Sequence, residues 1–376
     1  MQYRDFGNTG IKISALGFGA MRLPEYEKDG KWYVNEDEAI GMMHGAFDLG
    51  VNYVDTAYVY CRGNSEAVVG KALKGYRDRV YVSTKMPTWR VKKQGDYRRF
   101  LEEQLQKLDA AYIDFYHFHA LNQEKWENIV LKFDLLKEAV KAKDEGLIKH
   151  ISFSFHDKPE VLKRLIDVGL FESLLCQYNL LDRSNEEAIA YAKEKGVGTV
   201  IMGPVGGGRL AAPSHIIEQS VGTDVKSTPE VALRFVLGNQ NVDCALSGMS
   251  SMEMVQENAR VASKEEPLSK EDWDKINAML EETKRLSDLY CTGCDYCMPC
   301  PEGIKIPNVF QLMNYHRVYG LTEYAKNQFA RLGENKETGQ SPLACIECGV
   351  CEPKCPQNIQ IRAQLKETLK ELGTIE

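Results

Sequence analysis

Nowhere in this chain does an apolar run approach the ~18 residues that a membrane-spanning helix requires. The opening stretch, MQYRDFGNTGIKIS, has no apolar core of the kind a secretory signal carries, so the expected location is cytoplasmic. Positive charge is not in surplus: 47 Lys and Arg against 54 Asp and Glu leave a net charge of −7, with the two signs interspersed. No basic face is available for nucleic acid, and solubility is a sufficient account of the charge. The GxGxxG fingerprint of a doubly wound dinucleotide-binding sheet is missing too, because GFGAMR at 17–22 does not meet it. What remains is a globular composition, 43% hydrophobic and 27% charged, in 376 residues. That length suits one large domain followed by a small one.

Cysteine is the residue in excess. Of 11 cysteines, most fall in two runs, CTGCDYCMPCP at 291–301 and CIECGVCEPKCP at 345–356. Without an export signal, clustered thiols read as metal ligands rather than disulfides. Cys61, Cys176 and Cys244 are scattered and read as small buried residues. The second run follows the bacterial ferredoxin spacing C-x2-C-x2-C-x3-C-P, and the first is a variant with x2 before its last cysteine. Paired zinc sites are the metal alternative. Three ligands at steps of three followed by Cys-Pro, twice over, favour two [4Fe–4S] clusters. In two-cluster ferredoxins the fourth cysteine of each run serves the other cluster. The expected sets are Cys291, Cys294 and Cys297 with Cys355, and Cys345, Cys348 and Cys351 with Cys300. VFQLMNYHRVYG and LTEYAKNQFARLG, between the runs, read as helices, so the tail at 287–376 is expected to be a small α-helical ferredoxin-like domain.

Before the tail, β-rich runs alternate with amphipathic helical stretches such as GDYRRFLEEQLQKLD. The strand candidates lie at 15–20, 51–55, 80–85, 113–119, 148–154, 173–177, 198–202 and 242–247. Eight strand–helix units over roughly 250 residues point to an α/β fold, a closed (β/α)8 TIM barrel. A doubly wound open sheet is the alternative. The opening YRDFGNTGIKIS reads as a hairpin capping the bottom of the barrel, and SKEDWDKINAMLEETKRL at 269–286 as a helix joining barrel to tail. The barrel domain is therefore expected to span 1–286.

Chemistry in such a barrel sits where strands end at the C-terminal face. The polar residues there are Asp55, Lys85, His119, Ser154 and Gln177, with Tyr60 just past the second strand. A carbonyl reduced by hydride needs a proton donor, and a phenol can serve. Free tyrosine holds its proton near pKa ~10. A neighbouring ammonium stabilises the phenolate, an aspartate orients that ammonium, and a histidine beside the carbonyl adds a second donor. NVDTA-x-x-Y, the strand-end TK, D-x-Y-x-x-H, QYN and a final SGM…ENA occur in the order of the aldo/keto reductase family, which residues 1–262 resemble. The resemblance implies a catalytic set of Asp55, Tyr60, Lys85 and His119. His117 is a rival for the last role, but the spacing from Asp114 favours His119.

The same resemblance implies a nicotinamide site built from Ser154, Gln177, Met202, Gly203, Gly206, Ser247, Gly248 and Asn258. Phe155 stands where an Asn is expected, and Met202 where a stacking Tyr is. GPVGGGRL at 203–210 is a glycine-rich loop whose amides can approach a pyrophosphate. Between Ser247 and Asn258 there is no Lys or Arg for a 2′-phosphate, so NAD(P)H is the expected cofactor without strict NADP dependence. Arg209 or Arg260 could substitute, but nothing in the sequence places them. Trp89 and Trp126 are candidate walls of the substrate pocket. The implied activity is hydride transfer between NAD(P)H and a small carbonyl or alcohol. The alternative is an electron-transfer protein, with a redox partner, whose clusters carry the function while the barrel is a docking or cofactor-binding module. A third reading makes the clusters a structural staple.

Overall fold

The computed structural model describes the chain except residues 212, 222–224, 226, 265–267, 289–290, 292, 294, 356–358 and 374–376, and the side chains of 283–288. It opens with an antiparallel hairpin, β1 (Tyr3–Asp5) and β2 (Lys12–Ser14). The first barrel strand, β3 (Leu16–Gly19), is followed by a second hairpin, β4 (Glu25–Lys28) and β5 (Lys31–Val34). The other barrel strands are β6 (Tyr53–Asp55), β7 (Tyr81–Met86), β8 (Ile113–Leu121), β9 (Ile148–Phe155), β10 (Ser173–Gln177), β11 (Gly198–Met202) and β12 (Cys244–Ser247). These eight close into a parallel barrel in the order β10-β11-β12-β3-β6-β7-β8-β9. Every strand expected from the sequence lies on one of them.

The barrel interior is layered. Tyr53, Phe115, Leu175, Val200, Cys244 and Leu246 form one buried cluster with Phe6 and Ile13 of the first hairpin. Phe6 is fully buried, its ring 5.0 Å from that of Phe115. Gly198 makes this plug possible, because a Cβ there would come within 2.5 Å of the Phe6 ring. Side chains two residues apart on a strand share a face. One layer toward the C-terminal end therefore come Asp55, His117 and Gln177, polar residues over an apolar layer, while Met202 at the same level of β11 still packs against the apolar cluster. The sheet puts function at one end by that alternation alone.

Packing divides the described chain into two compact units, 1–207 with 232–267, and 208–231 with 268–376. The second contains helices Lys270–Asp288, Ile306–Arg317, Thr322–Ala330 and Ile361–Leu372. Its core includes Val309, Phe310, Leu321, Ala325 and Leu365, all buried. The helices expected between the cysteine runs are present, and the last helix was not anticipated. Among the described residues no helix is long and apolar enough to cross a membrane.

Candidate active site and iron–sulfur module

Lys85, near the end of β7, is 1% exposed and makes three hydrogen bonds. Its Nζ donates to Asp55 Oδ2 at 2.5 Å, to the Thr56 carbonyl at 2.7 Å and to Tyr60 OH at 3.1 Å. Asp55 is itself buried, and its other oxygen accepts from the Ser83 hydroxyl at 2.8 Å. Two of these placements follow from pairing: Asp55 lies opposite Ser83, and Lys85 opposite His117. Burial raises the Asp55 pKa even against Lys85 and Ser83. Burial works against the Lys85 charge, but Asp55 and Tyr60 outweigh it and hold the ammonium above its ordinary value. Burial likewise keeps the Tyr60 phenol above its usual pKa, with Lys85 opposing. The raised values leave the Lys85 ammonium charged and the Tyr60 phenol protonated, as an acid must be before it reacts.

Tyr60 owes its position to a strained turn. Cys61 and Arg62 follow it with φ of 46° and 55°, the left-handed region that non-glycine residues rarely enter. Arg62 then pairs with Glu25 at 2.5 Å and lies over the Trp32 ring at 4.9 Å. Hairpin β4–β5 thus clamps the turn that presents the phenol. The sequence signal for this hairpin was EYEKDGKWYV: Asp29 and Gly30 both have positive φ, the turn chemistry that Asp-Gly favours.

The two histidines separate. His117 is fully buried, and neither ring nitrogen has a hydrogen-bond partner. Burial first and Lys85 second push its pKa down to about 3. His119 is only part-buried, its ring 6.1 Å from that of Tyr60 and 5.0 Å from Trp89. The same causes lower it to about 2, so it is a neutral ring whose Nδ1 has no partner. Trp89, 45% exposed, stands beside the site, whereas Trp126 packs edge-on against Phe171 at 6.2 Å.

The remaining predicted residues lie at the ends of β9 to β12. The buried Ser154 hydroxyl accepts from the Ala120 N–H at 2.7 Å, which fixes the left-handed residue after His119. Gln177 and Met202 are half-buried at strand ends. Gly203 and Gly206 have φ of 63° and 60°, so the loop after β11 takes a path closed to other residues. Ser247 accepts from Asn258 Nδ2 at 3.1 Å, beside Gly248. Sequence reasoning missed Arg22. Its guanidinium donates to the Gly207 carbonyl at 2.9 Å, and its Cδ lies 3.6 Å from where a Gly248 Cβ would sit. It therefore touches both terminal loops. Arg209 is engaged elsewhere, donating to Tyr315 OH at 2.6 Å in the second unit, and Arg260 is exposed on helix Met252–Ala262.

With that geometry in hand, the model of the aldo/keto reductase family matches residues 15–281. The chain belongs to the aldo/keto reductase family. A second model, a 4Fe-4S dicluster domain, matches residues 290–360. The chain is 29% identical to L-galactose dehydrogenase of Arabidopsis thaliana, over 76% of this chain and 97% of that one. A solved aldo-keto reductase of Bacillus halodurans in its holo form is 27% identical, with a TM-score of 0.64, covering 74% of this chain and 96% of that one. One from Klebsiella pneumoniae in complex with NADPH, 22% identical at a TM-score of 0.61, covers 74% and 96% and shows the fold alone.

In the iron–sulfur module, Cys300, Cys345, Cys348 and Cys351 line one small cavity, together with Cys297. Among the described residues no three Cys, His or acidic side chains converge on a point that would hold a single ion. Thiols ranged around a cavity suit a polynuclear group, which fills the space between them. Cys291 and Cys355 are half-buried, and Cys294 lies outside the described residues.

Proposed function

We propose that this oxidoreductase transfers a hydride between NAD(P)H and a small carbonyl or alcohol, with Tyr60 as the proton donor. The single observation that carries the reading is Lys85 Nζ bonded to both Asp55 and Tyr60 in a buried layer. The nicotinamide, when bound, supplies or accepts the hydride. Tyr60 gives its proton to the oxygen that becomes an alkoxide, Lys85 stabilises the phenolate left behind, and Asp55 holds Lys85 in place. His119, neutral, offers a second hydrogen bond to the same oxygen, with Trp89 as a wall. Ser154, Gln177, Met202, Ser247, Gly248 and Asn258 would line the cofactor. Gly203 and Gly206 would give backbone N–H groups to its diphosphate, and Arg22 a charge. No Lys or Arg lies between Ser247 and Asn258, which supports binding of NADH and NADPH within about tenfold of each other.

We place the functional boundary near 286–287, where one family match gives way to the other. Beyond it the proposed clusters are two [4Fe–4S] groups, one on Cys291, Cys294, Cys297 and Cys355, the other on Cys345, Cys348, Cys351 and Cys300. Cys300 lines one cavity with Cys345, Cys348 and Cys351, as its crossed membership needs, although Cys297 lines that cavity as well. A redox partner protein is the further partner these clusters admit.

Two substitutions test the catalytic reading together. Tyr60→Phe should lower kcat on the order of 10²–10⁴-fold while NADPH affinity, read by fluorescence titration, stays close to wild type. Arg22→Gln should do the reverse, weakening both dinucleotides and sparing kcat. A Tyr60→Phe enzyme that keeps more than about a tenth of the wild-type rate, with chemistry rate-limiting, sinks the assignment.

A further inference from the structure

Two charged residues outside the ligand sets, Glu302 and Arg362, line the cysteine-lined cavity, and Arg362 is the one with an unpaired buried donor. Arg362, in the first turn of helix Ile361–Leu372, lines it beside Cys300, Cys345, Cys348 and Cys351. Its guanidinium is held from one side by Glu352, whose Oε2 accepts from Nη2 at 2.7 Å. The other oxygen of Glu352 accepts the Arg362 backbone N–H at 3.0 Å, so one carboxylate fixes both the helix start and the side chain. Across it lies Gly349, where an added Cβ would stand 3.6 Å from Cζ and 3.8 Å from Nε. Although 42% of the side chain is exposed, Nε itself is shut off from solvent and has no hydrogen-bond partner. A buried N–H left unpaired is rare, because it forfeits its bond to water and gains nothing in return. The cavity that Arg362 lines is walled in part by thiols.

We propose that Arg362 donates its Nε–H to a sulfur of the cluster held by Cys345, Cys348, Cys351 and Cys300, and so raises the reduction potential of that cluster. The inference rests on the two-cluster reading. Reduction adds one electron to the cluster and moves no atoms, so the reduced form carries one more negative charge. A fixed cation and an N–H donor stabilise that form more than the oxidised one, and hydrogen bonds to the sulfurs are a recognised determinant of potential. Glu352 fixes the guanidinium at the wall of the cavity.

The test is an EPR-monitored redox titration of the full chain, purified anaerobically, comparing wild type with Arg362→Met, Arg362→Lys and Glu352→Gln. Iron and sulfide content checks that both clusters remain. Arg362→Met should make one cluster at least tenfold harder to reduce, 59 mV for a one-electron couple, and leave the other unmoved. Arg362→Lys, which keeps the charge without the Nε–H, should fall between, as should Glu352→Gln. Cys348→Ser marks the affected cluster, since its signal should be the one that Arg362→Met shifts. Unchanged midpoints at full iron content, or a shift confined to the signal that Cys348→Ser leaves intact, would overturn the proposal. A protein that binds no iron would instead remove the two-cluster reading beneath it.

Discussion

Buried histidine has a cost that appears only in acid. His117 keeps its folded pKa near 3, whereas an unfolded chain's histidine titrates near ~6.5. Between those values the unfolded state binds the extra proton, so stability falls as pH drops through that window. From pH 7 to pH 5 the loss through this residue alone is about 2 kcal/mol. Urea denaturation of His117→Gln at both pH values should therefore show a smaller drop than wild type, whatever offset the substitution brings at pH 7. Equal drops would mean that His117 is protonated in the fold. His119, lowered to about 2, adds no ionisation near neutrality to the rate profile in this reading. The choice of His119 over His117 was legible only as spacing from Asp114. The physical reason needs the fold, which seals one ring in the barrel and leaves the other beside Tyr60. Arg22 was not legible at all, since its partners Gly207 and Gly248 lie far along the chain and only barrel closure brings them near.

At the scale of elements, the eight barrel strands were legible because a parallel strand buried on both faces is a short β-rich run bounded by turns. The residue on each strand that faces inward follows from a period of two. Hairpin β4–β5 was missed because most of its side chains are exposed, leaving no apolar alternation to find, although Asp29-Gly30 was a usable turn signal. The first hairpin is a packing element with a sharp test. Gly198→Ala sets a methyl group against the buried Phe6 ring, and overpacking of this kind costs roughly 1–3 kcal/mol. Scanning calorimetry should show Tm lowered by several degrees, on the order of 2–4 °C per kcal/mol for a domain of this size. Kinetic constants should hold, because the apolar layer lies beneath the polar one. An unchanged Tm would mean that the hairpin yields freely and does not plug the barrel.

At the scale of the whole molecule, the barrel and the cluster module are not cleanly serial. Residues 208–231 leave the chain after β11 and pack with the C-terminal part. Ser214 Oγ donates to the Tyr319 carbonyl at 2.6 Å, and Leu210 and Ile217 are fully buried there. A chain cut at 287 keeps every barrel strand and the whole Asp55, Tyr60, Lys85, His119 set, but it strips 208–231 of these partners. Hydride and proton together complete a carbonyl reduction, so the clusters have no necessary part in that step. The truncated chain should therefore retain nicotinamide-dependent turnover with kcat within about tenfold of the full protein, on the ~1.4 kcal/mol scale of such a change. Exposed Leu210 and Ile217 should make it less stable, with stronger binding of a hydrophobic dye. The glycine-rich loop adjoins the stripped segment in sequence, so cofactor affinity should fall more than kcat. If the truncated chain folds and binds cofactor yet reduces nothing that the full protein reduces, the clusters take part in turnover. Rapid anaerobic mixing of the full protein would then show them bleaching within the first turnover, as an electron-transfer role requires.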